Sequence, residues 1–344
     1  MDRTFLLDNL QALLAIPSPT GFTTKAMSWL KDEVMQMGYE ITPTNKGSFM
    51  VRIKGKSGGP ARFLAAHVDT LGAMVREIKS DGRLKIVPIG GLPLVAAEAA
   101  NIEVHTRDGK TIQGTIMPIK SSVHLHRDEV NKTERTNDTV EIRLDQAVDN
   151  DEDVRQLGIQ VGDYISLDPM TVVTDSGYIK SRFLDDKSCC AILLSVLKAF
   201  VDQQPQTDTI FMFSNYEEVG HGIYGLPDDI AEIVSVDIGV VGSTQTAKDD
   251  RVTIFAKDGA TPYDFDLTTQ LVDLCRKNEI IYNVDVIDAY ASDASAAVRQ
   301  GLDVRFACLG PGVESTHHYE RTHVSALEQT YQLLIHYLNS PILK

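Results

Sequence analysis

Two hydrophobic periods alternate along the chain. Residues 4–15, FLLDNLQALLAI, place Leu at helical spacing and stop at IPSPTG, whose prolines and glycine break a helix. A second helix is predicted from Thr23 to Met37. Runs of β character follow: YEITPT, SFMVRIKG, and then ARFLAAHVDTLGAMVREI, whose FLAAHV core is a continuous apolar stretch suited to a strand buried on both faces. Between about residues 72 and 175, turn signals (SDG, RDG, GG) separate short pieces such as LKIVPI, NIEVHT, TIQGTI, VEIRL and DYISL, which predicts a β-rich insertion. Its acidic segment DQAVDNDEDVRQLG fits a solvated loop or a helix start. After Ser181 helix and strand alternate again. SCCAILLSVLKAFVDQ and DLTTQLVDLCRKNE are predicted helices, DTIFMFSNY and EIVSVDIGVV strands, and VRFACLGPG a strand leading into a loop. The pattern predicts an α/β protein in which residues 1–71 and 176–344 form one discontinuous domain and residues 72–175 an inserted one.

Composition narrows the function classes. The chain has 344 residues, 33 Lys+Arg against 48 Asp+Glu, and a formal charge of −15. That balance repels phosphate backbones and anionic lipid, so neither nucleic acid nor a membrane is expected as a partner. A hydrophobic fraction of 43% supplies a buried core and argues against disorder. No stretch approaches the ~20 apolar residues that span a bilayer. MDRTFLLDNL lacks the order of basic, apolar and small residues found in a signal peptide, so a cytoplasmic location is expected. Cys189, Cys190, Cys275 and Cys308 show neither a disulfide framework nor CxxC spacing, and are expected to be reduced, buried small hydrophobes.

Five short segments place carboxylates or imidazoles after apolar runs, where open α/β sheets build their sites. In AAHVDT, His67 and Asp69 stand two apart and share one face of a strand, with Asp69 a candidate to orient a metal-bound His67. Asp185 and Asp186 in SRFLDDKS precede a helix, where capping alone would account for them. Glu217 and Glu218 in SNYEEVGHG would repel one another unless one binds a cation or holds a proton. Asp237 ends an apolar strand, and a buried carboxylate there needs a partner. His317, His318 and His323 follow a Gly-Pro-Gly segment. Together these residues supply the ligand inventory of a two-metal hydrolytic site bridged by a carboxylate, for which zinc, manganese and cobalt are suitable.

In order and spacing, AAHVDTLGAMV, LDDKSCCAILL, EEVG, a strand-end Asp and a late His loop resemble the M42 family of dinuclear metallo-aminopeptidases over nearly the whole chain. The resemblance implies an exopeptidase domain with a central mixed sheet flanked by helices, and an inserted small β-barrel that serves subunit contacts or substrate access. It implies two divalent cations per subunit, with Zn2+ favoured over Co2+ or Mn2+, and a short peptide as substrate. His67 would bind one cation, Asp185 would bridge both, Glu218 and Asp237 would each bind one, and His317 would complete the second position. Glu217 would be the general base, with Asp69 behind His67.

DAYASDASAAVRQG is similar to the family's Thr-Asp-Ala segment, which makes Asp293 a candidate substrate residue, with Ser292 in place of the Thr. Family members carry an Arg-Tyr-Ile-His-Ser-Pro type of sequence at the last ligand; this chain has Ser-Thr-His-His-Tyr-Glu-Arg-Thr-His, which leaves His318 as an alternative to His317. That loop and the short EEVGHGI segment resemble an M42 branch linked to N-acetylglutaminylglutamine amide, a dipeptide osmoprotectant. Related proteins form dimers that build tetrahedral shells, so a homo-oligomer, either a dimer or a dodecamer, is implied. Three other readings compete: an amidohydrolase or deacylase of an N-acylated dipeptide, a non-catalytic oligomeric scaffold, and a glycosidase. The last would need both Glu217 and Glu218 free of metal to flank a sugar bond.

Overall fold

Four of the apolar runs become the parallel centre of one mixed, 12-stranded sheet. In spatial order they are Thr207–Ser214, Ser57–His67, Ile230–Val236 and Arg305–Glu314. The computed structural model describes residues 1–343, and the chain divides into two units, residues 1–69 with the chain from Met170 onward, and Thr70–Pro169. In the first unit, successive side chains of Ser57–His67 point to opposite faces. Ala61, Phe63 and Ala65 pack with Ile210, Met212, Ile233, Ala294 and Cys308 on one of them.

The helix Leu184–Ala199 is buried at every position from Leu184 to Leu197, which accounts for an SCCAILL run that is apolar all round. All four cysteines are free and buried. Lys187 in this helix donates to Leu13 O at 3.0 Å and Ile16 O at 2.7 Å. It thereby satisfies carbonyls left open where Arg3–Leu14 ends. Burial pushes its ammonium down to about 7.

Opposite the Ala61–Phe63–Ala65 face, Arg62 pairs with Glu232 on the neighbouring strand at 2.8 Å, both side chains fully buried. Tyr337, from the last helix Val324–Leu338, donates its hydroxyl to Glu232 at 2.7 Å and lies beneath the Arg62 guanidinium. Arg62 also donates to the Ser340 and Pro341 carbonyls, each at 2.8 Å, so the C-terminal segment is tied to mid-sheet.

The strand at Arg305 does not give way to a loop at Gly310-Pro311-Gly312, as its composition suggested, but continues to Glu314. The glycines permit close approach of neighbouring backbone. A Cβ on Gly310 would lie 2.0 Å from Asp237 O, and one on Gly312 would lie 2.0 Å from Lys248 O. YEITPT, by contrast, contributes only the exposed pair Thr42–Pro43 at the sheet's edge.

The unit Thr70–Pro169 is a closed six-stranded barrel. Its strands run in the order Gly72–Ile78, Leu84–Ile89, Val140–Leu144, Thr111–Pro118, Asn101–His105 and Tyr164–Leu167. Val75, Ile86, Val104, Ile116, Ile142 and Ile165 are buried, and closure leaves no free strand edge. The acidic segment forms the helix Asp151–Gln156, capped by the Asn150 side chain on Asp153 N. Three carboxylates in its first turn favour the N-terminal end of the helix dipole. The α/β fold is therefore the one expected from the pattern, and the closed barrel is the form the family resemblance implied for the β-rich insertion.

Breaking a buried pair leaves an uncompensated charge in a low dielectric, at a cost of about 3–5 kcal/mol. Glu232→Ala is expected to lower stability in urea denaturation by that amount; a loss below about 1 kcal/mol would show that Arg62 finds other compensation.

Candidate metal centre

The carboxyl ends of the parallel strands converge, and each delivers an acid or an imidazole. His67 is the last residue of its strand, Asp237 follows Val236, and Glu217 and Glu218 open a short 3-10 turn beyond Ser214. His317 lies three residues past Glu314, and Asp185 stands at the start of the helix Leu184–Ala199. Ligand atoms of His67, Asp185 and Glu218 all lie within 4.8 Å of one another, as do those of His67, Asp186 and Asp237.

His67 sits at the middle of this cluster. Its Nδ1 is 2.9 Å from the carbonyl of Asp69, which fixes that nitrogen as a donor and turns Nε2 toward the carboxylates. Nε2 faces Asp185 Oδ1 at 3.3 Å and Glu217 Oε2 at 3.6 Å. His317 Nε2 approaches the same group from the other side, 3.7 Å from Asp185 Oδ2 and 3.5 Å from Glu218 Oε2.

The electrostatics are those of anions deprived of water. Burial pushes Glu217 above the ordinary carboxylate range, and Asp237, Asp293 and Glu218 add to the effect against the opposing charge of His67. Glu218 is raised by burial and by Asp185. Asp237 rises to about 7 through burial and the charge of Asp185, and Asp186 is raised by burial and by Asp237. Burial also works against the Asp185 anion, but the hydrogen bond and charge of His67, helped by His317, hold it below its usual value. For His67, burial opposes the imidazolium, while the bond to Asp185, the nearby Asp69 carboxylate and the charge of Glu217 outweigh it. Carboxylates and imidazole nitrogens crowded together at this density are the donor set of a divalent cation site. Asp186 Oδ1, buried and without a hydrogen-bond partner, marks the same deficit of positive charge.

Each expected residue has a definite place. His317, not His318, turns toward Asp185 and Glu218, while His318 is exposed. His323 lies apart from the cluster and caps the last helix, its ring accepting from Ser325 N at 3.2 Å. The Asp69 carboxylate stands 3.6 Å from His67 Nδ1, farther than its own carbonyl. It accepts instead from Thr20 Oγ1 at 2.6 Å and from the Glu217 and Glu218 amides at 3.3 and 3.4 Å, and so shapes the turn that carries both glutamates.

Asp293 is buried at the start of the helix Asp293–Arg299, where it accepts from Ser214 Oγ. Its Oδ1 lies so near Gly222 that a Cβ there would meet it at 2.0 Å. Burial raises Asp293 to about 6 against the Ser214 hydrogen bond.

Sequence reasoning gave no site role to Asp186, Thr316, Glu320 or Tyr290. Asp186 Oδ2 accepts from His67 N at 3.1 Å, and the helix start carries no side-chain cap, so Asp186 serves the site and not the capping expected of it. Thr316 Oγ1 donates to Asp185 Oδ2 at 2.8 Å, and the Tyr290 hydroxyl, which donates to Ile238 O at 3.3 Å, works against the rise of Asp237. The departure of STHHYERTH from the family's last-ligand sequence was the available signal for Thr316 and Glu320.

Comparison with known proteins finds relatives over most of the chain. A family model described as M42 glutamyl aminopeptidase matches residues 47–333. YhfE of Bacillus subtilis (strain 168), named as an aminopeptidase, is 40% identical over 340 residues, 98% of either chain. Aminopeptidase APDkam598 from the archaeon Desulfurococcus kamchatkensis superposes with a TM-score of 0.88 at 21% identity, over 98% of this chain and 96% of its own. The Pyrococcus horikoshii TET1 peptidase, described as able to assemble into a tetrahedron or a large octahedral shell, gives 0.84 at 20% identity over 97% and 99%. At those identities the two structures establish a shared fold alone, whereas the family match spans most of the sequence. The chain belongs to the M42 peptidase family and is a peptide hydrolase.

Proposed function

We propose that the protein is a two-cation aminopeptidase acting on short peptides, with Glu217 as the general base. The observation that carries this reading is the convergence of Glu217, Asp185 and Glu218 on the buried His67 and half-buried His317 imidazoles at the strand ends. His67, Asp185 and Asp237 would hold one divalent cation, and Asp185, Glu218 and His317 the other. Bound there, the pair would acidify a water molecule and polarise the scissile carbonyl, chemistry for which Zn2+, Co2+ and Mn2+ are suited.

The protein's own groups do the rest. The Glu217 carboxylate takes the proton of the attacking water and delivers it to the leaving amine, and burial raises its affinity for that proton. The Asp69 carboxylate holds Glu217 and Glu218 in place through their amides, and its carbonyl keeps the His67 ring oriented. A second reading, an amidohydrolase of an N-acylated dipeptide, is favoured by Asp293. That carboxylate is buried, with Oδ2 taken by Ser214 and its pKa raised by burial to about 6, so it is a weak anionic partner for a free α-amine.

We infer further that the protein self-associates. Val123 and Leu125, 58% and 78% exposed on the barrel unit, are apolar side chains suited to a subunit contact. The tetrahedron and octahedral shell described for the TET1 peptidase and the dodecamer described for PhTET1-12s support an oligomer, and light scattering tests for a dimer or a dodecamer.

Glu217→Gln is expected to keep both cations and to lose about 10²–10⁴-fold in kcat. Asp185→Asn is expected to lose cation occupancy, because a bridging carboxylate has no neutral substitute. Elemental analysis of the two purified variants checks both, and equal metal loss would reverse the assigned roles. Chelation should abolish hydrolysis, and adding back Zn2+, Co2+ or Mn2+ should restore it. On a panel of free and N-acetylated glutaminyl dipeptides, the aminopeptidase reading expects cleavage of the free ones; hydrolysis confined to the N-acetylated set would favour the amidohydrolase.

A further inference from the structure

We propose that Glu320 is a positioning residue that fixes Asp185 and His317 against each other and so sets the second cation position. The inference rests on the two-cation reading above.

Glu320 opens the short strand Glu320–His323 and is 2% exposed. Its partner in register is Ser181, the last residue of Tyr178–Ser181, a strand that runs almost directly into the helix start carrying Asp185. The carboxylate therefore lies between two segments far apart in sequence, each supplying a proposed ligand. Oε2 accepts from Asp185 N at 3.1 Å, and Oε1 accepts from His317 N at 3.1 Å. The Leu184 amide is bonded to the same group. Both oxygens are thus occupied by backbone donors, so the group acts through Asp185 and His317 and not as a ligand itself.

The loop around His317 needs such an anchor. Ser315 and His317 both adopt left-handed backbone angles, φ of +62° and +64°, which cost energy for a residue with a Cβ and persist only where neighbouring groups over-determine them. Glu320 fixes the loop by its peptide, and Thr316 fixes it by its hydroxyl on Asp185 Oδ2 at 2.8 Å. An anionic acceptor makes shorter and stronger bonds to N–H groups than a neutral one, which is the reason for a carboxylate here. Outer partners of metal ligands typically contribute about 10–100-fold to cation affinity.

The test is titration of the metal-free protein with Zn2+, followed by calorimetry and elemental analysis, on wild type, Glu320→Ala, Glu320→Gln and Thr316→Val. Wild type is expected to take up two cations per chain. Glu320→Ala should weaken the second, which takes both Asp185 and His317, by about 10–100-fold, and the first, which takes Asp185 alone, by clearly less. Glu320→Gln should fall between, since its amide oxygen can accept from one N–H while its NH2 meets the other. Thr316→Val should weaken the second cation to a smaller degree, with unchanged thermal unfolding of the metal-free protein, and so carries the test even where Glu320→Ala does not fold. Equal weakening of both cations would mean a general structural role and would overturn the proposal, as would wild-type binding of both cations in all variants. Those outcomes leave the two-cation reading standing; a wild type that takes up fewer than two cations would remove that reading and the proposal with it.

Discussion

The salt bridge between Arg62 and Glu232 sets the register on which the site depends. Both groups are fully buried on adjacent parallel strands, paired directly across the sheet. From that pair the register runs unbroken through Phe63 with Ile233 and Leu64 with Val234 to Ala65 with Ser235. His67 lies 67 − 62 = 5 residues beyond Arg62, and Asp237 lies 237 − 232 = 5 beyond Glu232, so the two emerge side by side at the strand ends. A slip of one residue would turn every side chain to the opposite face and separate them. A buried ion pair adds little net stability over a well-packed apolar pair, since desolvation cancels most of the attraction. Its value here lies in register: the alternatives strand an unpaired charge in the sheet.

Most of the fold was legible because parallel strands buried on both faces read as unbroken apolar runs, and the barrel as short alternating ones. FLAAHV, DTIFMFS and EIVSV carry that signal without ambiguity, as does the all-round apolar helix after Asp186. Gly310-Pro311-Gly312 misled, because a tripeptide that usually marks a turn here admits neighbouring backbone. Gly310 leaves room for the Asp237 carbonyl, a long-range contact with no local signature. The Arg62–Glu232 pair was equally invisible, its partners being 232 − 62 = 170 positions apart.

The site was legible where residue chemistry alone decides and illegible where the backbone is the partner. A run of two glutamates after a buried strand is hard to explain without a cation, and two aspartates before a helix are easily explained as caps. Yet Asp186, in the second pair, faces His67 with one oxygen bonded and the other bare. Asp69 was read as the carboxylate behind the His67 ring because spacing of two puts both on one face. The carbonyl of Asp69 takes that place, which frees its carboxylate to bind the amides of Glu217 and Glu218. Which atom of a residue does the work follows from geometry that no pattern of side-chain types encodes.

The same two strands thus hold charge in two different ways. At mid-strand Arg62 and Glu232 neutralise each other, with Tyr337 and the C-terminal carbonyls completing their hydrogen bonds. At the strand ends the acids outnumber the imidazoles, and burial drives Glu217, Glu218 and Asp186 toward taking up protons. That unbalanced charge is a cost to the folded state which the unfolded chain, with its carboxylates in water, does not bear. A cation that binds only the folded arrangement removes the cost and adds its own binding free energy to stability. Two divalent ions would change the formal charge from −15 to −15 + 4 = −11, a small change for the whole molecule but a large one for a cluster of this density. Stability and chemistry are therefore coupled at the strand ends and separate at mid-strand, where the sheet's register is kept by a pair that needs no ligand.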